Sequence, residues 1–338
     1  MKKLLETLYV LTPDSYLYER NDNICLSIGG NEKASVPASQ VESIVFFGKN
    51  TISTHLLGLC AEHGITVSFL DRNGRFLSRA CGPVNGNVLL RKRQYAAMED
   101  TEHVLLLVRD LLYGKLRNSK EVLLRHARNE EDGQSLYQAA EQLAALAKQM
   151  EGCTNVDSLR GIEGIAASTY FEQFDRLLSE SCGFRFGQRS RKPPKNEVNA
   201  VLSFLYTMLV HDMRSALETV GLDPAAGYLH ALRPGRPSLA LDMMEELRAP
   251  LCDRMTLTLF NKGQLSKNDF EYVSQAVYLN DAGRKKVLTQ WRSRKQEQIV
   301  HPFLKERIPI GLIPYAQSML FARLLRGDLD RYPPFLWR

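Results

Sequence analysis

Three acids and one histidine carry the residue types of a metal-dependent phosphoryl-transfer site. Glu163 lies in Leu159-Arg160-Gly161-Ile162-Glu163-Gly164-Ile165-Ala166-Ala167, an acid between two glycines in an apolar setting. Glycine inside a helix costs about 1 kcal/mol relative to alanine, so two of them around an acid predict that another group approaches that backbone closely. His230 ends the turn-rich run Gly221-Leu222-Asp223-Pro224-Ala225-Ala226-Gly227-Tyr228-Leu229-His230, and Ser238 then opens an apolar helix carrying Asp242, Glu245 and Glu246. Asp242 and Glu245, three positions apart, share a helix face. Like charges so placed repel unless a cation lies beside them. Carboxylate oxygens with an imidazole suit Mg2+ or Mn2+ better than a structural zinc. Spacing alone fits two other readings as well: an exposed glutamate with packing glycines, and a solvated acidic face beside a hydrogen-bonded histidine. The histidines at 55, 63, 103, 126, 211 and 301 have no acid or cysteine at convincing ligand spacing, and His211-Asp212 reads as a helix-end pair.

The run 183–197, GFRFGQRSRKPPKNE, carries Arg185, Arg189, Arg191, Lys192 and Lys195 with two glycines and two prolines. It reads as a flexible basic connector between long helices, either merely solvated or in contact with phosphates.

The elements that must position these residues fall into two regions. Short β-branched and aromatic runs at 4–10, 16–18, 24–28, 34–36 and 41–47 predict a small antiparallel sheet or sandwich. Residues 51–63 show helical spacing closed by Gly64, and 66–70 with 75–78 read as a hairpin around Asp71-Arg72-Asn73-Gly74. Punctuation from Cys81 to Asn87 marks a linker. Beyond it the spacing predicts helices at 90–112, 135–150, 156–178, 196–220 and 238–247, with more between 267 and 295 and between 314 and 325. The expected fold is α+β multidomain: a β-rich N-terminal domain over 1–81, a linker over 82–89, and a larger all-α domain over 90–338.

A chain of 338 residues suits two domains, and 44% hydrophobic residues fill real cores. The net charge of +6 permits a polyanionic partner. Six cysteines at 25, 60, 81, 153, 182 and 252 include no CxxC pair, which excludes a zinc ribbon or thioredoxin motif and predicts reduced thiols in a cytoplasmic protein. Glu6 interrupts the only signal-like start, and no apolar run approaches the roughly 18 residues of a membrane helix.

Taken in order, these pieces resemble one known family. The glutamate run 159–167, Lys192-Pro193-Pro194 followed by Asn199-Ala200-Val201-Leu202-Ser203 and Tyr206, the histidine run 221–230, and the acidic helix SLALDMMEELRAP over 238–250 are similar to motifs of the universal CRISPR-associated endonuclease/integrase. That protein is the catalytic subunit of the spacer-acquisition complex. Residues 280–288, with Gly283-Arg284-Lys285-Lys286, and the ending RGDLDRYPPFLWR resemble the type I-C variant. The resemblance covers essentially the whole chain. It implies a β-sandwich followed by a helical catalytic domain. It implies Mg2+ or Mn2+ held by Glu163, His230 and the Asp242/Glu245 pair, with Glu163, His230 and Glu245 catalytic. Glu245 is expected as the direct ligand, with Asp242 behind it or on a second metal. The implied reaction is attack of a fragment's 3′-hydroxyl on a repeat phosphodiester. Arg160, Arg185, Arg189, Arg191, Lys192, Lys195, Arg248, Arg284, Lys285 and Lys286 are the expected contacts to double-stranded DNA. The implied partners are a second copy of the chain, a small ferredoxin-like CRISPR subunit completing a heterohexamer, and an iron–sulfur exonuclease. The competing readings are an endonuclease on branched or single-stranded DNA that joins nothing, and a non-catalytic DNA scaffold.

Overall fold

The computed structural model describes residues 4–83, 88–128 and 133–337, so the expected linker falls partly outside the described residues. The chain forms two compact units, Met1–Asn85 with Asp281–Gln296, and Gly86–Asn280 with Glu297–Arg338.

The first unit contains β1 (Glu6–Val10), β2 (Ser15–Arg20), β3 (Asn23–Ile28), β4 (Asn31–Pro37), β5 (Val41–Phe47), β6 (Thr51–Ile52), α1 (Thr54–Glu62), β7 (Thr66–Leu70) and β8 (Phe76–Ala80). They make two four-stranded sheets, ordered β1-β5-β7-β8 and β4-β3-β2-β6. The meander β2-β3-β4 is antiparallel, its turns made by Asn21 and Asp22 and by Gly29 and Gly30, all at positive φ. The expectation of a purely antiparallel arrangement does not hold. β1 with β5, β5 with β7, and β2 with β6 pair in parallel. Parallel neighbours need a crossover, and α1, N-capped by the Ser53 side chain, supplies the one from β5 to β7. Leu17, Ile24, Ile44, Phe46, Leu56 and Val67 fill the core.

The second unit begins with α2 (Val88–Ala97), α3 (Thr101–Ala127), α4 (Gln134–Gln149), α5 (Val156–Glu172) and α6 (Glu197–Val220). It continues through α7 (Ser238–Met243), α8 (Glu245–Leu247), α9 (Arg254–Asn261), β9 (Phe270–Val273) and β10 (Ala276–Leu279). Helix α10 (Asp281–Gln296) belongs to the first unit, where Trp291 is buried and Arg292 pairs with Glu6 at 2.8 Å. The second unit resumes with β11 (Gln298–Val300), β12 (Arg307–Pro309) and α11 (Ile313–Arg326).

Two expectations change here. The helix expected at 90–112 is two helices, because the Asp100 carboxylate caps the Thr101 end by accepting from His103 N at 3.0 Å and starts α3 afresh. Part of the stretch expected to be helical after 267 is the antiparallel hairpin β9–β10, which turns at Ser274 with φ 55°. Its Phe-Glu-Tyr-Val and Ala-Val-Tyr-Leu runs are rich in the β-branched and aromatic residues of strands. Between α8 and α9 the chain makes a wide π-helical turn, Arg248–Asp253. Pro250 sits in it and has no N–H to give an ordinary helical ladder.

Candidate metal and nucleic-acid site

Asp242 organises the histidine. Its carboxylate is buried and accepts from the backbone N–H groups of Tyr228 (2.6 Å), Leu229 (3.0 Å) and His230 (2.9 Å), and from His230 Nδ1 (2.6 Å). A carboxylate only accepts, so Nδ1 carries a proton, and in the neutral imidazole the lone pair is then on Nε2. Nε2 faces Glu245, 3.9 Å from its Oε1. Gly227 makes this cradle possible: a Cβ there would lie 2.7 Å from Asp242 Oδ2 and 2.6 Å from the Ser238 carbonyl carbon. Arg160 closes the other side by donating to the Leu229 carbonyl while pairing with Asp157.

Glu245 is 3% exposed, and Arg248 Nη1 lies 2.7 Å from its Oε1. Burial raises its carboxyl pKa, but Arg248 and Lys115 lower it more, and the net value falls to about 2. It is a carboxylate at any working pH. Lys115, from the middle of α3, connects the two acids. Its ammonium is 2.9 Å from Glu245 Oε2 and pairs directly with Glu163 on α5. No sequence signal singled out Lys115. The Gly114 beside it was the available hint: a Cβ there would come within 2.8 Å of Pro334 and 3.0 Å of Glu246, so this glycine allows α3 to pack against the acidic helix.

The glycines around Glu163 behave differently from the expectation. Among the described residues nothing lies within 4 Å of a Cβ built at Gly161 or Gly164, and Ile165 is 58% exposed. The surface on either side of Glu163 is open.

Behind the acids, Tyr206 lies between two guanidinium groups, Arg189 at 5.4 Å and Arg248 at 5.1 Å from its ring centre. Its hydroxyl donates to Asp253 Oδ1 at 2.7 Å. Burial pushes the Asp253 carboxyl up to about 6 against the pull of that hydrogen bond. Lys115, Tyr170, Arg191, Tyr206, Glu245 and Arg248 line one cavity.

The expected basic contacts separate into groups. Arg189 is tied inside the unit, to Asn199 Oδ1 (2.8 Å) and Ser203 Oγ (3.3 Å). The connector is fastened rather than loose. Asn199 also accepts from Ser190 N and donates to the Gln188 carbonyl, and Asp175 accepts from Phe186 N and Gly187 N. Arg185, Arg191, Lys192 and Lys195 remain exposed on it. Arg248 is half-buried against Glu245. Arg284, Lys285 and Lys286 lie on α10 of the first unit, where Arg284 is buried against Asp281 and the two lysines are exposed.

Among the described residues, no three of His, Cys, Asp and Glu stand as placed to hold a metal ion, and the Lys115 ammonium pairs with both Glu163 and Glu245. The donor chemistry nevertheless fits a divalent ion. Two carboxylates converge on a single cation, and an imidazole nitrogen, a ligand in its neutral form, faces one of them.

The family model for CRISPR associated protein Cas1 matches residues 8–293. CRISPR-associated endonuclease Cas1 2 of Rhodospirillum rubrum is 49% identical, with 100% of both chains covered. CRISPR-associated endonuclease Cas1 1 of Chlorobaculum tepidum is 46% identical, again with 100% of both covered. A CRISPR-associated exonuclease Cas4/endonuclease Cas1 fusion of Geobacter sulfurreducens is 34% identical over 98% of this chain and 60% of its own length. The structure of a CAS1 protein from Thermotoga maritima superposes with a TM-score of 0.83 at 25% identity, covering 96% of this chain and 97% of that one. Two further structures share the fold. A casposase bound to integration product has a TM-score of 0.85 at 19% identity, covering 99% of this chain and 95% of that one. A Cas6-RT-Cas1–Cas2 complex has a TM-score of 0.85 at 22% identity, covering 100% of this chain and 36% of that one. A β-rich N-terminal unit followed by a helical one is thus the architecture of these proteins, and on the residues matched and the full-length identities the chain belongs to the CRISPR-associated Cas1 family.

Proposed function

We propose that this chain is a divalent-metal-dependent integrase that joins a captured double-stranded DNA fragment to a CRISPR repeat by attack of the fragment's 3′-hydroxyl on a repeat phosphodiester. The observation that carries the reading is the convergence of Glu163 and Glu245 on one cation, with His230 Nε2 held towards Glu245 by Asp242. Glu163, His230 and Glu245 would hold Mg2+ or Mn2+, and Asp242 would stand behind the histidine. When bound, such an ion polarises a phosphoryl oxygen and favours the alkoxide form of the attacking hydroxyl.

The chain's own residues supply the rest. Asp242 fixes the imidazole tautomer and ring plane, so no reorganisation is needed when the site is used. Arg248 keeps Glu245 ionised and stands in the cavity with Arg191, where positive charge offsets the charge that develops at phosphorus. The open faces at Gly161 and Gly164 let a nucleic-acid backbone approach Glu163. Exposed Arg185, Arg191, Lys192 and Lys195 are the phosphate contacts of the connector. Water in place of the 3′-hydroxyl would give strand cleavage at the same residues.

The assembly we propose is a homodimer flanking a small ferredoxin-like subunit in a heterohexamer, with an iron–sulfur exonuclease trimming the fragment in a type I-C setting. The Cas1–Cas2 complex of shared fold and the Cas4/Cas1 fusion support these partners. Among the described residues no helix is long and apolar enough to cross a membrane, and we place the reaction in the cytoplasm, where the array lies. The test is joining of a labelled duplex to a repeat-bearing plasmid in Mn2+. Glu245→Ala is expected to lower joining by about a hundredfold or more, as loss of a group that holds transition-state charge does. Joining by the variant at the wild-type rate would remove Glu245 from the site.

A further inference from the structure

Lys115 is an unusual neighbour for a metal site. It is 14% exposed, and its ammonium pairs with carboxylates from two different helices, Glu163 of α5 and Glu245 of α8. Glu245 is 3% exposed and also holds Arg248, so the two carboxylates are matched by two side-chain cations before any metal enters. A divalent ion bound by Glu163 and Glu245 would meet a positive charge at the same point, and two cations a few ångströms apart repel strongly at a half-buried site. The lysine has the means to leave, because a flexible four-carbon stem carries its charge as a compact point, and it lines the same cavity as Arg191 and Arg248.

We propose that Lys115 is an internal counter-ion that holds Glu163 and Glu245 together without metal and is displaced from between them when a divalent cation binds. The inference rests on the metal-dependent reading above and adds the competitor built into it. It makes Lys115 a positioning residue that sets metal affinity. Without metal the ammonium keeps two acids from separating. With metal it gives up both carboxylates, so the measured affinity is the intrinsic one reduced by the strength of the lysine's own ion pairs.

Two readouts test it. The first is residue-resolved acylation of lysines by mass spectrometry on the intact protein, with EDTA or with Mg2+. Acylation of Lys115 is expected to rise at least about threefold with Mg2+, since a side chain clamped between two carboxylates is shielded from the reagent and a displaced one is not. The second is calorimetric titration with Mn2+. Lys115→Met is expected to bind about tenfold more tightly or better, and Lys115→Arg, which keeps the charge and can span both acids, no more tightly than wild type. Unchanged acylation in a protein that does bind Mg2+, or equal Mn2+ affinity of wild type and Lys115→Met, would overturn the proposal and leave the metal site standing. No Mn2+ binding by wild type, Lys115→Met or Lys115→Arg would overturn both. Binding by Lys115→Met alone would support it in its strongest form.

Discussion

Asp242→Ala should melt roughly 8–15 °C below wild type and should join DNA about 10–100-fold more slowly even well below its melting point. The carboxylate is fully buried and accepts four hydrogen bonds, three of them from consecutive backbone N–H groups. Alanine leaves those three donors without an acceptor in a site where Gly227 has been brought within contact distance, so water has little room to replace it. A buried donor left unpaired costs about 1–3 kcal/mol, and neighbouring losses are not additive, so about 4 kcal/mol is a reasonable total. Catalysis falls separately, because the imidazole loses the group that fixes its tautomer and aims Nε2 at Glu245. Asp242→Asn keeps one acceptor oxygen and should fall between the two. Differential scanning calorimetry and the joining assay read the two effects apart. A variant that melts within about 3 °C of wild type would show that the cradle is not the anchor described here.

The second large effect is expected at Glu246, one residue from the proposed ligand and with a wholly different task. Its side chain is buried, and burial pushes its carboxyl up to about 7 despite three donors. Those donors are Tyr332 hydroxyl at 2.6 Å, Gln317 Nε2 at 2.8 Å and Phe335 N at 2.7 Å. All three belong to α11 or the segment after it. Asn118 of α3 continues the clasp, donating to the carbonyls of Glu246 and Phe335 and accepting from Trp337 N, each at 2.7 Å. The C-terminal segment is therefore fastened to the helices that carry Lys115 and Glu245. Glu246→Ala should lower the melting temperature by roughly 8–15 °C, from about 4 kcal/mol of unpaired donors. It should also expose residues 328–337 to limited proteolysis. Protease resistance equal to wild type, with an unchanged melt, would contradict the clasp.

Residue spacing alone carried part of this site and missed part of it for physical reasons. Asp242 and Glu245 share a helix turn, and His230 sits just upstream, so local sequence places these three near one another. What Asp242 does there depends on the path of the 227–230 backbone, which only Gly227 hints at. Lys115 was invisible: a lysine in a long amphipathic helix usually marks a solvated face, and its partners lie on two helices distant in sequence. Arg189 read as a surface cation of a loose loop, yet Asn199 and Ser203 of the next helix hold it inward, an interaction with no sequence period. The fold shows the same division. Strand runs in the first 80 residues were legible from composition. The parallel pairing of β1, β5 and β7 was not, because it follows from a crossover and not from local pattern. The hairpin β9–β10 leaves little sequence signal, being only eight paired residues within a helix-rich stretch.

The most direct test of the central claim compares wild type with His230→Ala. Each is incubated in Mn2+ or EDTA with a small partner subunit, a repeat-bearing plasmid and end-labelled duplex fragments. Labelled plasmid from wild type in Mn2+ only, and none from His230→Ala, is the predicted result. Plasmid cleaved but unlabelled would favour an endonuclease that does not join, and equal labelling by both proteins, or labelling in EDTA, would contradict a metal site at Glu163, His230 and Glu245.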